Sequence, residues 1–387
     1  MEFFWLLLIA GVVVLLQALV LGRRSLRQID YERKLSRSHC HVGDDIEMIE
    51  IIQNKRRIPV PWLRLESILP AGFQFGHQAE TAISEGTLYQ NHTSLFSLSA
   101  QTRITRTHQI TCRQRGVFHM DSALMSAGDV FGLARANRPL RIETRMTVYP
   151  AYTAIDDMPE AYRSWQGEVE VRRWTNEDPF LITGVREYSS GDPMNQIHWK
   201  ATARTGQLQV YRQGYSADPE VMILFNIEIN EQMWRVVTEP MVAEYGLSCC
   251  ATIAADLIGK GMKAGFGHNA IIATEDEQDA RILPAYGSEQ LSALLQCMAE
   301  VQLKSRQPFH EFLQSFVPQS SQENEPIHKM DILIVTPHVS QPIKQAITIL
   351  EQAGSTVSIL NVPDIEQLKK SHWNQSVYDK PSRKVSG

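Results

Sequence analysis

The sequence predicts a membrane-anchored protein that combines a β-sandwich-like domain with a doubly wound α/β domain. Three observations lead to this fold class: an apolar run opens the chain, short strand-like runs separated by turn residues follow it, and apolar strands alternate with helices in the last third. Short strands at such spacing favour a sandwich. Alternation of strands and helices favours a parallel sheet with right-handed crossovers.

The apolar run Phe3–Leu21 predicts a single transmembrane helix. It is 19 residues long with one polar side chain, and at about 1.5 Å per residue it extends ~28 Å, close to the hydrocarbon thickness of a bilayer. A cleaved signal peptide carries its positive charge before the apolar run, whereas here Glu2 precedes the run and Arg23, Arg24 and Arg27 follow it. A buried core helix is the other alternative, but such a helix is rarely apolar on every face. The positive-inside bias predicts a single-pass protein of the inner (cytoplasmic) membrane, with its N-terminus outside and its bulk in the cytoplasm.

Composition and charge exclude several classes of protein. Hydrophobic residues make up 43% of the chain and charged residues 21%, which is typical of a globular protein. The formal net charge of -5 gives no basic field, so we expect no nucleic-acid partner. The five cysteines include no Cys-x-x-Cys pair, which favours reduced thiols in a cytosol over a disulfide framework.

The predicted sandwich follows a basic and polar juxtamembrane segment. The stretch Ala71–Asn91 is predicted to be a loop, because it shows little periodicity. The strand-like runs are Glu47–Gln53, Trp62–Ile68, Ser94–Leu98, Ile104–Cys112, Val117–Leu124 and Arg145–Tyr149.

The α/β pattern begins with Val221–Phe225, which is apolar throughout, as a strand buried on both faces should be. Helices are predicted over Glu239–Met262, over Ser288–Lys304 with Ser288 as N-cap, and over Gln341–Ala353. The further strands are Ala270–Ala273, Ile332–Val335 and Val357–Leu360. The predicted divisions are 1–22 (anchor), 23–37 (juxtamembrane), 38–150 (β-sandwich-like), 151–215 (connecting region), 216–365 (α/β) and 366–387 (flexible tail).

The most distinctive segment lies in the connecting region and contains the candidate site residues Arg186, Glu187, Tyr188, Gly191, Asp192, Trp199, Lys200 and Arg204. In one interpretation, the cationic side chains form a receptor for an anion, since arginine offers a planar fork to a carboxylate or phosphate. In the other, which we favour, Arg186, Glu187, Asp192 and Arg204 pair with one another beneath Trp199 and hold the two domains together.

This segment resembles the signature of the DUF58 family. The matching residues are Gly-x-Arg-Glu-Tyr-x-x-Gly-Asp at 184–192 and Ile-x-Trp-Lys-Ala-Thr-Ala-Arg at 197–204. Upstream, Arg115–Phe118, Asp129–Leu133 and Val148–Pro150 are also similar to family segments, so the resemblance extends from about residue 30 to 360. The chain departs from the family at Asn195, where arginine is common.

The resemblance implies a fold and a set of partners. It implies hydrophobic N-terminal segments, a β-sandwich-like region and a von Willebrand factor A-like domain. It also implies association with MoxR-type AAA+ ATPases and with transglutaminase-like membrane proteins. The biochemical role of the family is largely undefined.

A von Willebrand A-like domain can hold Mg²⁺ at the carboxyl end of its sheet, through an Asp-x-Ser-x-Ser segment and later loops. The aligned residues here are Asn226, Glu228 and Asn230, so the first carboxylate has become an amide and both hydroxyls are missing. Thr336-Pro337-His338 stands where an aspartate is common. Because Mg²⁺ prefers a set of hard oxygen ligands, we interpret these positions as a degenerate surface remnant and expect no metal and no cofactor.

No other pattern predicts catalysis. Strand alternation sends Cys40 to the opposite face from His39 and His41, so the three cannot converge on a metal. Cys249 and Cys250 are expected to be buried small residues. The sequence has no nucleophile elbow, HExxH motif, P-loop or dinucleotide fingerprint.

The expected function is that of a non-catalytic, membrane-anchored adaptor for protein interaction or assembly. Its expected partners are a MoxR-type AAA+ ATPase, other membrane proteins and the lipid bilayer. One alternative is a receptor or enzyme for an anionic ligand that uses the Arg186–Arg204 segment. The other alternative is a structural component of the cell envelope.

Overall fold

The computed structural model divides the chain into two units. It describes residues 2–21, 26–76, 81–85, 89–128, 135–175, 177–215, 220–230, 237–272, 281–317, 330–370 and 373. The first unit comprises Met1–Ala151, Met298–Glu300 and His372–Gly387, and the second comprises Tyr152–Cys297 and Val301–Ser371.

The chain begins with helix α1, Glu2–Leu21, in which the side chains of residues 3–13 are exposed. By length and composition, the described helix that is able to cross a membrane is instead Pro240–Gly259, and 67% of it is buried inside the protein. The described apolar part of α1, Phe3–Val14, is shorter. A mostly buried apolar helix is typical of a protein core, and Pro240–Gly259 fits that description. The role of α1 as a membrane anchor stays a prediction.

The rest of the first unit is built from β-strands. They are β1 Ile29–Leu35, β2 His39–His41, β3 Asp45–Asn54, β4 Val60–Pro70, β5 Phe73–Phe75, β6 Thr81–Glu85, β7 Tyr89–Leu98, β8 Arg103–Cys112, β9 Gly116–His119, β10 Ser122–Gly128, β11 Arg135–Arg141 and β12 Arg145–Tyr149.

Two antiparallel sheets of these strands form a sandwich. One sheet has the order β1-β3-β8-β5 and the other β11-β10-β4-β7-β6, and a small third sheet has the order β2-β12-β9. In β3, Ile46, Met48, Glu50 and Ile52 alternate with more exposed residues, as a strand with one buried face requires. Ile52 and residues of β4, β7 and β10 share one apolar core, so the two sheets bury their inner faces against each other.

The sandwich differs from the sequence-based prediction in three places. The juxtamembrane segment 23–37 contains strand β1, which pairs with β3 along its whole length. The predicted loop Ala71–Asn91 contains β5 and β6, and the predicted strand Val117–Leu124 is interrupted between β9 and β10. These strands are short or polar, so their sequences lack the alternation that marks a longer half-buried strand.

The chain after Ala151 alternates between helices and strands. They are α2 Glu160–Thr175, β13 Glu177–Glu187, α3 Trp199–Thr205, β14 Gln209–Tyr215, β15 Glu220–Phe225, α4 Pro240–Gly259, β16 Lys263–His268, β17 Ala270–Ile272, β18 Arg281–Ala285, α5 Ser288–Glu300, β19 Val301–Ser305, α6 Phe309–Gln314, β20 Asp331–Thr336, α7 Gln341–Gln352, β21 Thr356–Asn361 and α8 Ile365–Lys370.

A five-stranded sheet of order β18-β16-β15-β20-β21 forms the centre of the second unit. Its strands are parallel except for the antiparallel edge strand β18. Met222 and Leu224 of β15 pack with apolar residues of α6 and α7, whereas Phe225, which alternation places on the opposite face, contacts α4 at Gly246. Helices therefore cover both faces, as predicted for a doubly wound sheet, while the von Willebrand A-like assignment stays a prediction.

Three predicted elements of this half differ from the structure in their position or extent. The strand that follows α4 in the sheet is β16, whereas Ala270–Ala273 contributes only the short strand β17, which pairs with β19. The helix predicted over Ser288–Lys304 ends at Glu300, and Gly287 is its N-cap. The predicted tail 366–387 begins inside helix α8, and except for Trp373 its residues from 371 onward lie outside the described residues.

Candidate functional site

The signature segment forms a hairpin and a short helix, which we call the signature module (residues 184–211). Strands β13 and β14 pair antiparallel, with Arg186 opposite Val210 and Glu187 opposite Gln209. Helix α3 starts after His198, whose Nδ1 accepts a hydrogen bond from the backbone N–H of Ala201 at 3.1 Å. Ile197 and Val210 are buried, so the module is closed by a small apolar contact and an N-terminal cap.

A bidentate ion pair fixes the loop of the signature module. Arg186 Nη1 donates a hydrogen bond to Asp192 Oδ2 and Arg186 Nη2 donates one to Asp192 Oδ1, both at 2.7 Å. Asp192 also accepts from the backbone N–H of Ser189 at 2.8 Å, and Gly191 between them has φ of 121°, which favours glycine. The hydrogen bonds from Arg186 and then Ser189 lower the pKa of Asp192 to about 2. Arg186 therefore holds the loop with the two guanidinium N–H groups that an external anion would otherwise bind.

The remaining candidate residues of the signature module point to the surface. Trp199 is 66% exposed and Met194 is 67% exposed. Glu187, Lys200 and Arg204 are also exposed, and none of the three has an ion pair with another residue in the described part of the chain. Tyr188 is partly buried, and its backbone N–H donates to Leu208 O at 3.0 Å. The predicted cluster beneath Trp199 is thus reduced to the Arg186–Asp192 pair, with the tryptophan standing clear.

The positions aligned with a metal site form a buried hydrogen-bond network, not a surface remnant. Asn226 is fully buried and Glu228 nearly so. Asn226 Nδ2 donates to Thr336 Oγ1 at 3.0 Å, and Asn226 Oδ1 accepts from the backbone N–H of Glu228 at 3.0 Å. Glu228 Oε1 accepts from Asn269 Nδ2 at 3.1 Å and from the backbone N–H of Phe309 at 2.7 Å. This network ties together the loops after β15, β16, β19 and β20.

Hydrogen bonds among two amides, a hydroxyl, a carboxylate and the backbone hold these loops. An amide at Asn226 supplies both a donor and an acceptor, so it satisfies Thr336 and the Glu228 backbone at once. Asn230, the third aligned position, is exposed. Among the described residues, no group of three or more His, Cys, Asp or Glu side chains is placed to hold a metal ion. The prediction that Mg²⁺ does not bind stays a prediction.

The histidine and cysteine placements follow strand alternation. In β2, Cys40 is buried, while His39 is exposed and His41 partly so. Cys40 Sγ lies 3.3 Å from Cys112 Sγ, and both are free thiols. Cys249 and Cys250 are fully buried in α4, and burial raises the pKa of both. A buried thiol with a raised pKa is a weak nucleophile, so Cys249 and Cys250 fit the expected role of buried small residues.

A second polar cluster, which was not predicted from the sequence, lies inside the sandwich of the first unit. We call it the sandwich cluster: Arg33, Glu50 and His108 from one sheet, with Ser67 and His92 from the other. Glu50 and Arg33 are cross-strand partners with a carboxylate–guanidinium distance of 3.6 Å. Arg33 donates to Ser67 Oγ across the two sheets. The signal was present in β3, where Glu50 shares the inward face with apolar neighbours.

A family model described as "Protein of unknown function DUF58" matches residues 184–357 of this chain. This stretch is narrower than the expected resemblance from about 30 to 360, and Asp129–Leu133 lies outside the described residues. The "Uncharacterized protein YeaD" of Bacillus subtilis (strain 168) is 22% identical over 204 residues, which cover 53% of this chain and 49% of that protein. The chain thus spans about half the length of the curated relative that it matches.

Similar solved structures overlap only part of the chain. A cohesin module from Clostridium perfringens has a TM-score of 0.19 at 12% identity, covering 30% of this chain and 96% of the module. A CARDB domain from Pyrococcus furiosus has a TM-score of 0.17 at 17% identity, covering 30% of this chain and 96% of that chain.

The family match begins at the signature module and ends at residue 357, just after the start of β21. This part of the chain is the part that is similar to DUF58 proteins.

Proposed function

We propose that this protein is a membrane-anchored, non-catalytic adaptor that uses the signature module to bind other proteins. The observation that carries the proposal is the bidentate pair between Arg186 and Asp192, which fixes a loop beside an exposed tryptophan. A rigid loop lowers the entropy cost of binding. Tryptophan is enriched among the residues that dominate protein–protein binding energy, because it buries a large area with few rotatable bonds.

The charges of the signature module favour a protein partner of mixed polar and apolar character. Lys200 and Arg204 are exposed on α3, the short helix whose first residue is Trp199. Such a combination matches an acidic, partly apolar surface, since cations at the rim speed association and an aromatic anchor slows dissociation. Arg186 is already bound by Asp192, which counts against the alternative of an anion receptor at this place.

We propose a MoxR-type AAA+ ATPase as the soluble partner and the bilayer as the anchor site. The ATPase follows from the resemblance to the DUF58 family. The anchor follows from helix α1, whose described side chains are apolar and exposed, an arrangement that costs free energy in water and that lipid would relieve. The von Willebrand A-like character of the parallel sheet belongs to the same proposal.

Binding to a purified MoxR-type ATPase tests the partner. The full chain in detergent is titrated with the ATPase, and Trp199→Ala is compared with Tyr286→Ala, which removes another aromatic side chain that is 63% exposed in the same unit. We expect Trp199→Ala to weaken binding at least about tenfold, since a buried anchor contributes on the order of 2 kcal/mol or more, and Tyr286→Ala to leave it unchanged. Equal binding by all three proteins would contradict the proposal.

Membrane flotation tests the anchor separately. The full chain mixed with vesicles is expected to float with lipid, and a variant lacking residues 2–21 is expected to stay in the soluble fraction. If the full chain remains soluble with vesicles of neutral and anionic lipid, the anchor is wrong, whatever the ATPase experiment shows.

A further inference from the structure

We infer that the second unit binds a small oxyanion, a phosphate or a carboxylate group, in a cavity at the carboxyl end of strand β16. The cavity has a volume of about 120 Å³ and is lined by His268, Asn269, Arg281, Arg306, Gln307 and Phe312, among others. In open α/β sheets, the carboxyl ends of parallel strands are where ligands bind. This site goes beyond the proposed adaptor function, which makes no use of it.

The described lining residues favour an anionic ligand. Two of the lining residues are arginines, Arg281 and Arg306, and none of the described lining residues is an aspartate or glutamate. Arginine forks bind carboxylate and phosphate oxygens in pairs, so the class of ligand follows from the residue type as well as from its charge.

Arg281 is held at the cavity by contacts on two sides. Its Nη1 lies 3.4 Å from the carbonyl oxygen of Ser315, and its guanidinium carbon lies 5.1 Å from the centre of the Phe316 ring. Both contacts favour a planar cation. Arg306 is exposed, and its side chain makes no hydrogen bond or ion pair with the described residues. Arg281 is thus positioned before a ligand binds, and Arg306 has hydrogen-bond donors available for the ligand.

The floor of the cavity is fixed by hydrogen bonds of Asn269 and His268. Asn269 Oδ1 accepts from the backbone N–H of Ile227 at 3.0 Å, and Asn269 O accepts from the backbone N–H of Arg306 at 2.8 Å. His268 is buried, and its Nδ1 accepts from the backbone N–H of Ala270 at 3.1 Å. Glu228, the nearby buried carboxylate, is not part of the lining and is bound by Asn269 and Phe309.

The cavity is also large enough for the ligand. One water molecule needs roughly 10–15 Å³ measured in this way, so about 120 Å³ accommodates a tetrahedral phosphate or a carboxylate with a short chain. Neither the signature module nor Asn226, Glu228 and Asn230 contribute a described lining residue. The cavity adjoins the buried network through Asn269, which donates a hydrogen bond to Glu228.

Calorimetric titration of the full chain in detergent with inorganic phosphate, and separately with acetate, tests this inference at constant ionic strength set with sodium chloride. We expect saturable binding of at least one probe at a single site. Arg306→Ala is expected to weaken it at least about tenfold, because a hydrogen bond to a charged group contributes about 1.5–3 kcal/mol. Arg306→Lys should recover part of the affinity, since it restores the charge without the fork.

The matched control is Arg163→Ala, which removes an exposed arginine of the same unit that does not line the cavity. It is expected to bind like the wild type. The inference would be overturned if neither probe bound saturably. It would also be overturned if Arg306→Ala left the binding unchanged. Phosphate binding without acetate binding identifies a phosphate site, and the reverse identifies a carboxylate site. Since no ATPase is present, the result is independent of the adaptor proposal.

Discussion

The carboxylate of Glu50 lies inside the β-sandwich with its Oε2 atom 3.0 Å from Nε2 of His108. Its other oxygen accepts a hydrogen bond of 2.7 Å from the Tyr31 hydroxyl. Burial by itself would raise the pKa of Glu50, but the hydrogen bonds from His108 and Tyr31 and the charge of Arg33 lower it to about 2. Glu50 therefore stays ionised in the interior at neutral pH, and the fold depends on its partners.

Removing the Glu50 charge should strongly destabilise the first unit. We expect Glu50→Gln to lower its free energy of unfolding by about 3–5 kcal/mol, because it leaves the buried guanidinium of Arg33 without its counter-charge. The control is Glu47→Gln, an exposed residue of the same strand, which should change stability by less than about 1 kcal/mol. Calorimetric unfolding of the full chain measures both, and equal effects would contradict the account of the sandwich cluster.

The stability of the first unit should fall as the pH drops from about 6.5 to 4. His92 is fully buried, and burial, as the largest effect, lowers its pKa to about 4. Between an unfolded pKa of about 6.5 and that value, the unfolded chain takes up a proton that the folded chain does not, which costs the fold on the order of 3 kcal/mol. The loss should level off below pH 4, where the folded state is protonated too.

The variant His92→Leu tests the origin of this pH dependence. It removes the titrating ring but keeps a buried side chain, so the pH dependence between 6.5 and 4 should largely disappear. His39→Leu, at an exposed position of β2, should keep the full slope. A slope that persists in His92→Leu would show that His92 is not the group responsible for the pH dependence.

Two glycines of helix α4 should respond in opposite ways to alanine. A Cβ atom at Gly246 would lie 2.5 Å from a ring carbon of Phe225, whereas one at Gly259 meets nothing within 4 Å. We expect Gly246→Ala to lose about 1–3 kcal/mol through overpacking, and Gly259→Ala to gain up to about 1 kcal/mol through helix propensity. Thermal unfolding of the second unit reports both, and a stable Gly246→Ala variant would contradict the packing of α4 on β15.

Strands with clear alternation or uninterrupted apolar sequence were predictable. Asp45–Asn54 and Asp331–Thr336 each exceed their predicted runs by only a few residues. Strand β16 was not predictable, because its two glycines are typical of a turn. Tertiary packing requires the glycine at position 265, because a Cβ atom at Gly265 would lie 2.7 Å from Ile282 O of the neighbouring strand β18. Close approach of two chain segments selects glycine there, and no local pattern reveals it.

The candidate sites were predictable only in part. Pairing of Arg186 with Asp192 follows from charge and proximity in sequence, and the structure contains it. The exposure of Trp199 does not follow, since a tryptophan beside charges fits a buried cluster equally well. The oxyanion cavity brings Arg281 and Arg306 together from segments separated by helix α5, and such a meeting depends on tertiary folding alone.

We expect no saturable binding of Mg²⁺ at the carboxyl end of the sheet. Asn226 and Thr336 satisfy each other there, and a neutral amide offers Mg²⁺ less than the carboxylate that it replaces. Calorimetry with millimolar Mg²⁺ should give only dilution heat. A micromolar site that Glu228→Ala abolishes would contradict this expectation, with Glu366→Ala on α8 as an exposed carboxylate control.

Hydrogen–deuterium exchange of the full chain in detergent, with and without a bound MoxR-type ATPase, tests the adaptor proposal most directly. Most described side chains of the signature module are exposed, so binding should slow its backbone exchange more than that of any other part of the second unit. The account predicts protection concentrated in residues 184–211 that is lost in Trp199→Ala. Protection located elsewhere, with exchange of residues 184–211 unchanged by the ATPase, would contradict it.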